Sequence, residues 1–374
     1  MTAQAGDVFE APTASENFRL DNGYASQATP EVIARDILKS SFTPDVDLTG
    51  IKVATMTGQS EMFGADYSDG TTKPWFNDLF GSVQLLPTKV SAIPVSAIAS
   101  DFVNGEIVTG ATGVGRVVIP TESTDTNIYV VATTTGFTAE TITGDIAGSA
   151  TATGVEVDAG WSYKFDSSSC IRLSAQSEED GLISQVYNAV PTMTIACEEA
   201  GQLPKITYEI SGVINTVADV EQWMRDGSMT DLTGFRSEVL PPRWVDARNE
   251  VEGWTPVTDS TFTLDLGVAK KLNPDANNVA GAEGYGLTGR SGTIATRVNT
   301  PTNVEFDFVQ KWFNADALSY QNRFGQEVNN TFWIFGPTAR IENATAVDAE
   351  GEMKQELQLK LTGQDDQELE IVCI

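Results

Sequence analysis

The sequence predicts a mainly β chain with short helices, an α+β arrangement of two tandem β-sandwich or barrel domains carrying a small β-rich insert. Three observations predict it. Apolar and polar residues alternate in stretches such as Ile206-Thr-Tyr-Glu-Ile210 and Thr261-Phe-Thr-Leu-Asp-Leu266, the period of a half-buried strand. A Gly/Thr-rich motif occurs twice, as Phe102-Val-Asn-Gly-Glu-Ile-Val-Thr-Gly110 and Phe137-Thr-Ala-Glu-Thr-Ile-Thr-Gly144, each running into a small-residue strand. A Trp-Phe pair on a short helical pattern appears in both halves, in Lys73-Pro-Trp-Phe-Asn-Asp-Leu and Gln310-Lys-Trp-Phe-Asn-Ala-Asp. Trp-Phe on a helix is ordinarily core, so this parallel supports related domains without establishing a duplication.

The elements follow in order. Residues 1–30 are polar and read as an N-terminal arm. Residues 29–38 fit helix or strand, with Pro30 suited to a helix start. Residues 51–63 alternate as a strand. After a loop marked by Asp69-Gly70, residues 74–80 read as a short amphipathic helix capped by Gly81. The first domain comprises 31–94 and 159–237, interrupted at 95–158 by the repeat insert. Within its second part, 161–173 reads as one strand, Glu178-Glu-Asp-Gly181 as an acidic turn, and 190–197 with 205–213 as two strands joined across Glu198-Glu199. Pro241-Pro242 marks a linker at 238–256. The second domain, 257–374, opens with strand 261–266 and a Gly/Asn loop over 272–284. A helix follows within 302–317, with Phe306, Val309, Trp312 and Phe313 at helical offsets and Asn303 as its cap. Strands at 330–335 and 355–361 precede a last strand at 368–374, with Leu369, Ile371 and Cys373 on one face.

Charge is the strongest bulk signal. The 374 residues include 52 acidic and 23 basic ones, a formal net charge of −29. A protein that binds nucleic acid by neutralising phosphates needs the opposite balance. The excess suits solubility, and also a surface that must not adhere to a polyanion passing close by. Histidine is absent, which removes the commonest general base and metal ligand. Cys170, Cys197 and Cys373 are odd in number and form no CxxC pair, so buried free thiols in a reducing compartment are expected. The first residues show no basic region followed by an apolar block, so no signal peptide is read and folding in a cytoplasm is expected. No stretch approaches the roughly 20 apolar residues of a membrane-spanning helix.

Candidate chemistry is thin. Gly284-Tyr-Gly-Leu-Thr-Gly289 matches the dinucleotide fingerprint literally, but that motif needs a buried strand before it and a helix opening at it. An Asn/Ala/Gly stretch precedes it here and Arg290-Ser-Gly292 follows, so it reads as a loop. Asp45-Val-Asp-Leu-Thr-Gly50 begins like a calcium loop, yet Met56 stands where the twelfth-position Glu belongs. The paired carboxylates Glu198-Glu199 and Asp365-Asp366 read as solvated turns. A hydrolase working through carboxylates would need two of them about 5–10 Å apart in a cleft, and no pair here points to a substrate. Arg290, Arg297, Arg323 and Arg340 suit inter-subunit ion pairs, although single surface pairs contribute little. No catalytic residue, cofactor or metal is expected.

Three stretches resemble the tail tube (major tail) proteins of long-tailed, non-contractile bacteriophages. The first is Thr29-Pro-Glu-Val-Ile-Ala-Arg-Asp-Ile-Leu38 with the strand from Lys52 to Phe63. The second is Pro191-Thr-Met-Thr-Ile-Ala-Cys-Glu-Glu-Ala-Gly-Gln-Leu-Pro-Lys-Ile-Thr-Tyr-Glu-Ile-Ser-Gly212, similar to that family's strand, Glu-Ala-Gly turn, Pro, strand series. The third combines Phe262-Thr-Leu-Asp-Leu-Gly267, Asn273-Pro-Asp-Ala-Asn, Gly284-Tyr-Gly-Leu-Thr-Gly-Arg290 and Gln367-Glu-Leu-Glu-Ile-Val372. The resemblance implies a non-enzymatic virion protein of two tail-tube-like domains. It implies rings whose strands pair across subunits, stacked into a hollow tube through which DNA is ejected. Two such domains per chain imply a homotrimer forming a pseudo-sixfold ring; one implies a homohexamer. Tape measure and terminator proteins would be partners, DNA a transient passenger, the host cytoplasm the place of assembly and the virion tail the final location. Glu198, Glu199, Asp365 and Asp366 are the candidate lumen-facing acids, and the insert is an outward decoration. The alternative is a β-sandwich capsid decoration or receptor-binding adhesin.

Overall fold

The computed structural model describes residues 2–4, 24–33, 48–134, 136–179, 182–214, 216–217, 220–221, 224–226, 241–245, 247–327, 329–349 and 351–374. The described residues are mostly strand, with two short helices among them, so the structure is mainly β with short helices. The alternation in the sequence is realised residue by residue: Val53–Glu61 buries Ala54, Met56, Gly58 and Ser60 and turns the others outward.

One antiparallel sheet runs through the body. It starts at the outer strand Ala25–Ala28 and passes through Val53–Glu61, Lys205–Ile214 and Leu182–Cys197 to Asp259–Asp265. It continues through Thr293–Asn299, Glu352–Leu361, Phe332–Ala349 and Glu370–Cys373 to Val157–Phe165 and Leu85–Ser100. Sequence before and after residues 238–256 therefore shares one ladder, where Thr194 faces Asp265. It also shares one core, in which Met56, Phe76, Tyr163, Phe262 and Phe332 belong to a single buried cluster. Trp244 lies in that core and its indole N–H donates to Asn322 Oδ1 at 3.3 Å, which satisfies the polar tip of a buried ring.

Several local expectations need correction. Residues 161–173 are not one strand: Val157–Phe165 and Arg172–Glu179 are separated by a turn in which Asp166 accepts from Ser168 N at 2.9 Å. Helix α1 spans Asn77–Ser82, with Gly81 inside it rather than capping it. A Cβ at Gly81 would sit 2.6 Å from Ile171 Cδ1, so this glycine serves close packing, and Gln84, at φ 67°, takes the left-handed position that ends the helix. Helix α2 spans Phe308–Asn314, and its cap is Asp307, not Asn303, accepting from Gln310 N at 2.9 Å. The shared Trp-Phe dipeptide meets opposite fates. In α1's approach Trp75 and Phe76 are buried, whereas on α2 Phe313 is 78% exposed. The 272–284 loop is shorter than expected: residues 275–281 form the connection, and its two ends belong to the hairpin strands Val268–Pro274 and Ala282–Arg290. Cys197 and Cys373 are buried free thiols, but Cys170 is exposed. Of the 29–38 stretch, Val32–Ile33 is strand and pairs with Leu48–Thr49 from the calcium-like stretch, and Glu178 and Glu179 end the strand Arg172–Glu179; residues 34–38, 45–47 and 180–181 lie outside the described residues.

The insert closes on itself. The outer half of Leu85–Ser100 joins Asn127–Thr134, Val114–Val117, Ile107–Thr109, Thr141–Gly144 and Ser149–Ala152 in a ring of six strands. Each repeat supplies one long strand, its Phe, and a hairpin. The ladders between the two long strands and between Ile107–Thr109 and Thr141–Gly144 join equivalent elements, so the repeats are related by a pseudo-twofold. Closure leaves no strand edge open. The interior is aliphatic, with Phe102 and Phe137 both fully buried among Val108, Ile128, Val130 and Ile142.

Candidate functional site

The four acids singled out from sequence sit on two turns. Glu198 and Glu199 are exposed on the turn between Leu182–Cys197 and Lys205–Ile214, where Gln202 Nε2 donates to Glu199 at 3.0 Å. Asp365 and Asp366 lie on the turn before Glu370–Cys373, both at positive φ. Register separates the pairs. Cys197 aligns with Phe262, Thr296 and Leu357 across successive strands, and Glu352–Leu361 then runs away from the 198–199 turn toward the 365–366 turn. The two pairs thus flank opposite ends of the same stretch of sheet and do not converge.

Their electrostatics differ as well. Asp366 accepts from the Ser167 hydroxyl and from Ser167 N at 2.8 Å, and pairs with Arg290. These partners, Ser167 first and Arg290 after it, hold its carboxyl below the usual range against the opposing effect of burial. Arg290 also binds Glu368 at 2.5 Å and lies 4.1 Å from the centre of the Phe165 ring. Arg290 therefore bridges segments of its own chain, as Arg297 does with Glu356 at 3.6 Å. Asp366 is a neutralised structural acid, whereas Glu198, Glu199 and Asp365 remain exposed.

The Gly284–Gly289 motif lies within the strand Ala282–Arg290. Its first glycine is at φ 149° with a hypothetical Cβ 2.3 Å from Asn188 Cβ, and Asn188 Nδ2 donates to Glu283 O at 2.7 Å. The glycine permits the hairpin to approach the body and opens no helix for a pyrophosphate. Among the described residues, no group of three or more His, Cys, Asp or Glu could hold a metal ion.

Two charged constellations escaped the sequence reading. The first is internal to the barrel. Glu106, in the first repeat, is buried and accepts from Val103 N at 2.9 Å and from Ile146, Ala147 and Gly148 N at 3.3, 3.0 and 2.8 Å, the turn of the second repeat. Glu140, in the second repeat, accepts from Ala111 N, Thr112 N and Thr138 N, the first two in the turn of the first repeat. Each repeat's glutamate thus caps the other's hairpin. The glycines are reciprocal too. A Cβ at Gly144 would meet Glu106 at 1.8 Å and one at Gly110 would meet Glu140 at 2.6 Å. Burial raises the pKa of both carboxyls, but the converging donors, backbone N–H groups at Glu106 and the Thr112 hydroxyl ahead of the N–H groups at Glu140, outweigh it and hold both below the ordinary value. The signal was present in the repeated Glu-x-(Val/Ile)-Thr-Gly, but nothing in one copy reveals that its partner is the other.

The second constellation docks the barrel on the body. Glu370 is fully buried, and its oxygens receive Arg116 at 2.6 and 2.9 Å, Ser162 Oγ at 2.5 Å and Lys164 Nζ at 3.4 Å. Arg116 comes from the barrel, the other three from the body. Desolvation disfavours the Glu370 carboxylate, yet Arg116, Lys164 and Ser162 keep its pKa depressed. Beside it, Val118 and Ile119 of the barrel pack with Trp333, Phe335 and Val372 of the body. A cleft of about 470 Å³ follows this junction, lined in part by Glu122, Asp125, Tyr129, Arg248 and Arg323. Its lining holds two carboxylates and two guanidinium groups: Arg248 pairs with Glu122, and the Arg323 guanidinium lies 5.6 Å from the centre of the Trp333 ring.

No family model matches this sequence, and no curated protein matches it.

Proposed function

We propose that this chain is a structural virion protein of the tail tube kind, which polymerises into stacked rings around a channel for DNA. The observation that carries this reading is a long antiparallel sheet ending in an exposed outer strand, Ala25–Ala28, on a chain of net charge −29. Among the described residues that strand has a ladder partner on one side only. An open edge is a template for pairing with another chain, and a ring of copies would satisfy it. Exposed carboxylates such as Glu198, Glu199 and Asp365 would repel phosphate, so a polyanion would pass without being held. Ring stoichiometry follows from how many tube-like units one chain contributes, three copies for two units and six for one. The motif order described above supports the same reading.

Negative-stain imaging of the purified protein at high concentration tests it. Long rods with an axial hole are expected; discrete particles would instead favour a decoration or adhesin role. Lysine at both Glu198 and Glu199 is expected to impair DNA passage more than rod formation, and unchanged infectivity of phage carrying it would place that turn away from the channel.

A further inference from the structure

The pseudo-twofold of the barrel supplies an internal control. Val103, Ile107 and Ile146 surround the Glu106 cap. Val103 N and Ile146 N both donate to Glu106, and Ile107 N donates to Asp145 Oδ1 at 2.9 Å. These residues are 45%, 38% and 66% exposed. Around the Glu140 cap, the equivalent positions are Thr138, Thr141 and Thr112, all exposed. Thr138 N and Thr112 N make the matching bonds to Glu140. Three related positions are thus occupied by threonine at one end and by aliphatic residues at the other. Threonine makes the matching backbone bonds at the other end, where the turn is one residue shorter and the Thr112 hydroxyl adds a bond to Glu140, so these backbone bonds do not call for aliphatic side chains, and exposing those to water is unfavourable.

We propose that the Val103–Ile107–Ile146 end of the barrel is a docking surface for a protein partner that presents an apolar centre within a cationic rim. Charge selects this occupant over a second copy of the chain. Between residues 91 and 157, Arg116 is the one cation against seven carboxylates, and Arg116 is committed to Glu370. Asp101 and Asp145 are exposed beside the aliphatic trio in sequence. Two copies meeting here would bring acidic surfaces of chains of net charge −29 together, whereas a basic rim would be drawn to it.

The test uses the full chain and a synthetic amphipathic peptide of alternating leucine and lysine, titrated by fluorescence anisotropy. The triple variant Val103→Thr, Ile107→Thr and Ile146→Thr copies the opposite end, so it is expected to keep the wild-type melting temperature. It is expected to bind the peptide at least tenfold more weakly, while Val155→Thr, a change at an exposed valine outside the trio, leaves affinity unchanged. A peptide of alternating leucine and glutamate is expected not to bind. Equal affinity of the triple variant and wild type for the leucine-lysine peptide would overturn the proposal. So would self-association, measured by sedimentation, that the triple variant abolishes, because the occupant would then be a second copy. Should the triple variant melt early, the paired variant Asp101→Lys and Asp145→Lys takes its place, and undiminished peptide binding by that protein would likewise overturn it.

Discussion

Glu106 shows what a single buried acid does in this fold. Four backbone N–H groups converge on it from two segments about forty positions apart in the chain. Substituting Gln keeps the volume but presents an amide to donors that need an acceptor, and is expected to cost about 1–3 kcal/mol of unfolding free energy. The same residue sets a pH dependence. Its folded pKa is depressed, so the unfolded chain binds the proton more readily and the stabilisation is complete above the ordinary glutamate range. It is lost as pH falls through the folded value. Thermal melts between pH 3 and 7 are expected to show the wild type losing more stability than Glu106→Gln below about pH 4.5. Equal pH slopes would show that the carboxylate does not hold the turn.

Between elements, the junction of barrel and body depends on one carboxylate serving two cations. Glu370→Ala leaves Arg116 and Lys164 facing an emptied, partly dry site, and breaking such an ion pair costs about 3–5 kcal/mol. Denaturant unfolding of the variant is expected to show that loss, and a loss below about 1 kcal/mol would mean that the apolar contacts at Trp333 and Phe335 carry the junction alone. This scale is also where sequence and structure part. Local periodicity marks Val53–Glu61 and Lys205–Ile214 because their alternation is written in adjacent residues. It fails at Ala282–Arg290, where five small or glycine residues hide a strand behind a loop-like composition. At α2 it finds the helix but not its outward face, because the Trp-Phe spacing that builds a core at α1 is indistinguishable in sequence from the one that faces solvent. Ladder partners, the Glu106–Glu140 exchange and the Arg116–Glu370 bridge are long-range, and no window of sequence contains both members. Of the four acids chosen from sequence, being paired on turns was legible, but the neutralisation of Asp366 by Arg290 was not.

For the whole molecule, self-repulsion is the opposing force to any assembly. Copies of net charge −29 must approach within a Debye length, about 8 Å at physiological ionic strength. Rods are therefore expected to form at lower protein concentration as monovalent salt is raised from roughly 0.05 to 0.5 M, which narrows that length severalfold. Light scattering across such a series measures it, and assembly that weakens with salt would point to ion-paired contacts between subunits. The barrel carries a further consequence for biosynthesis. The first hairpin leaves the ribosome before the carboxylate that closes its turn has been translated, and Glu106 must wait for donors that emerge later still. Neither half can mature on the nascent chain alone, so any recombination event that trims the cassette has to remove or keep both copies together.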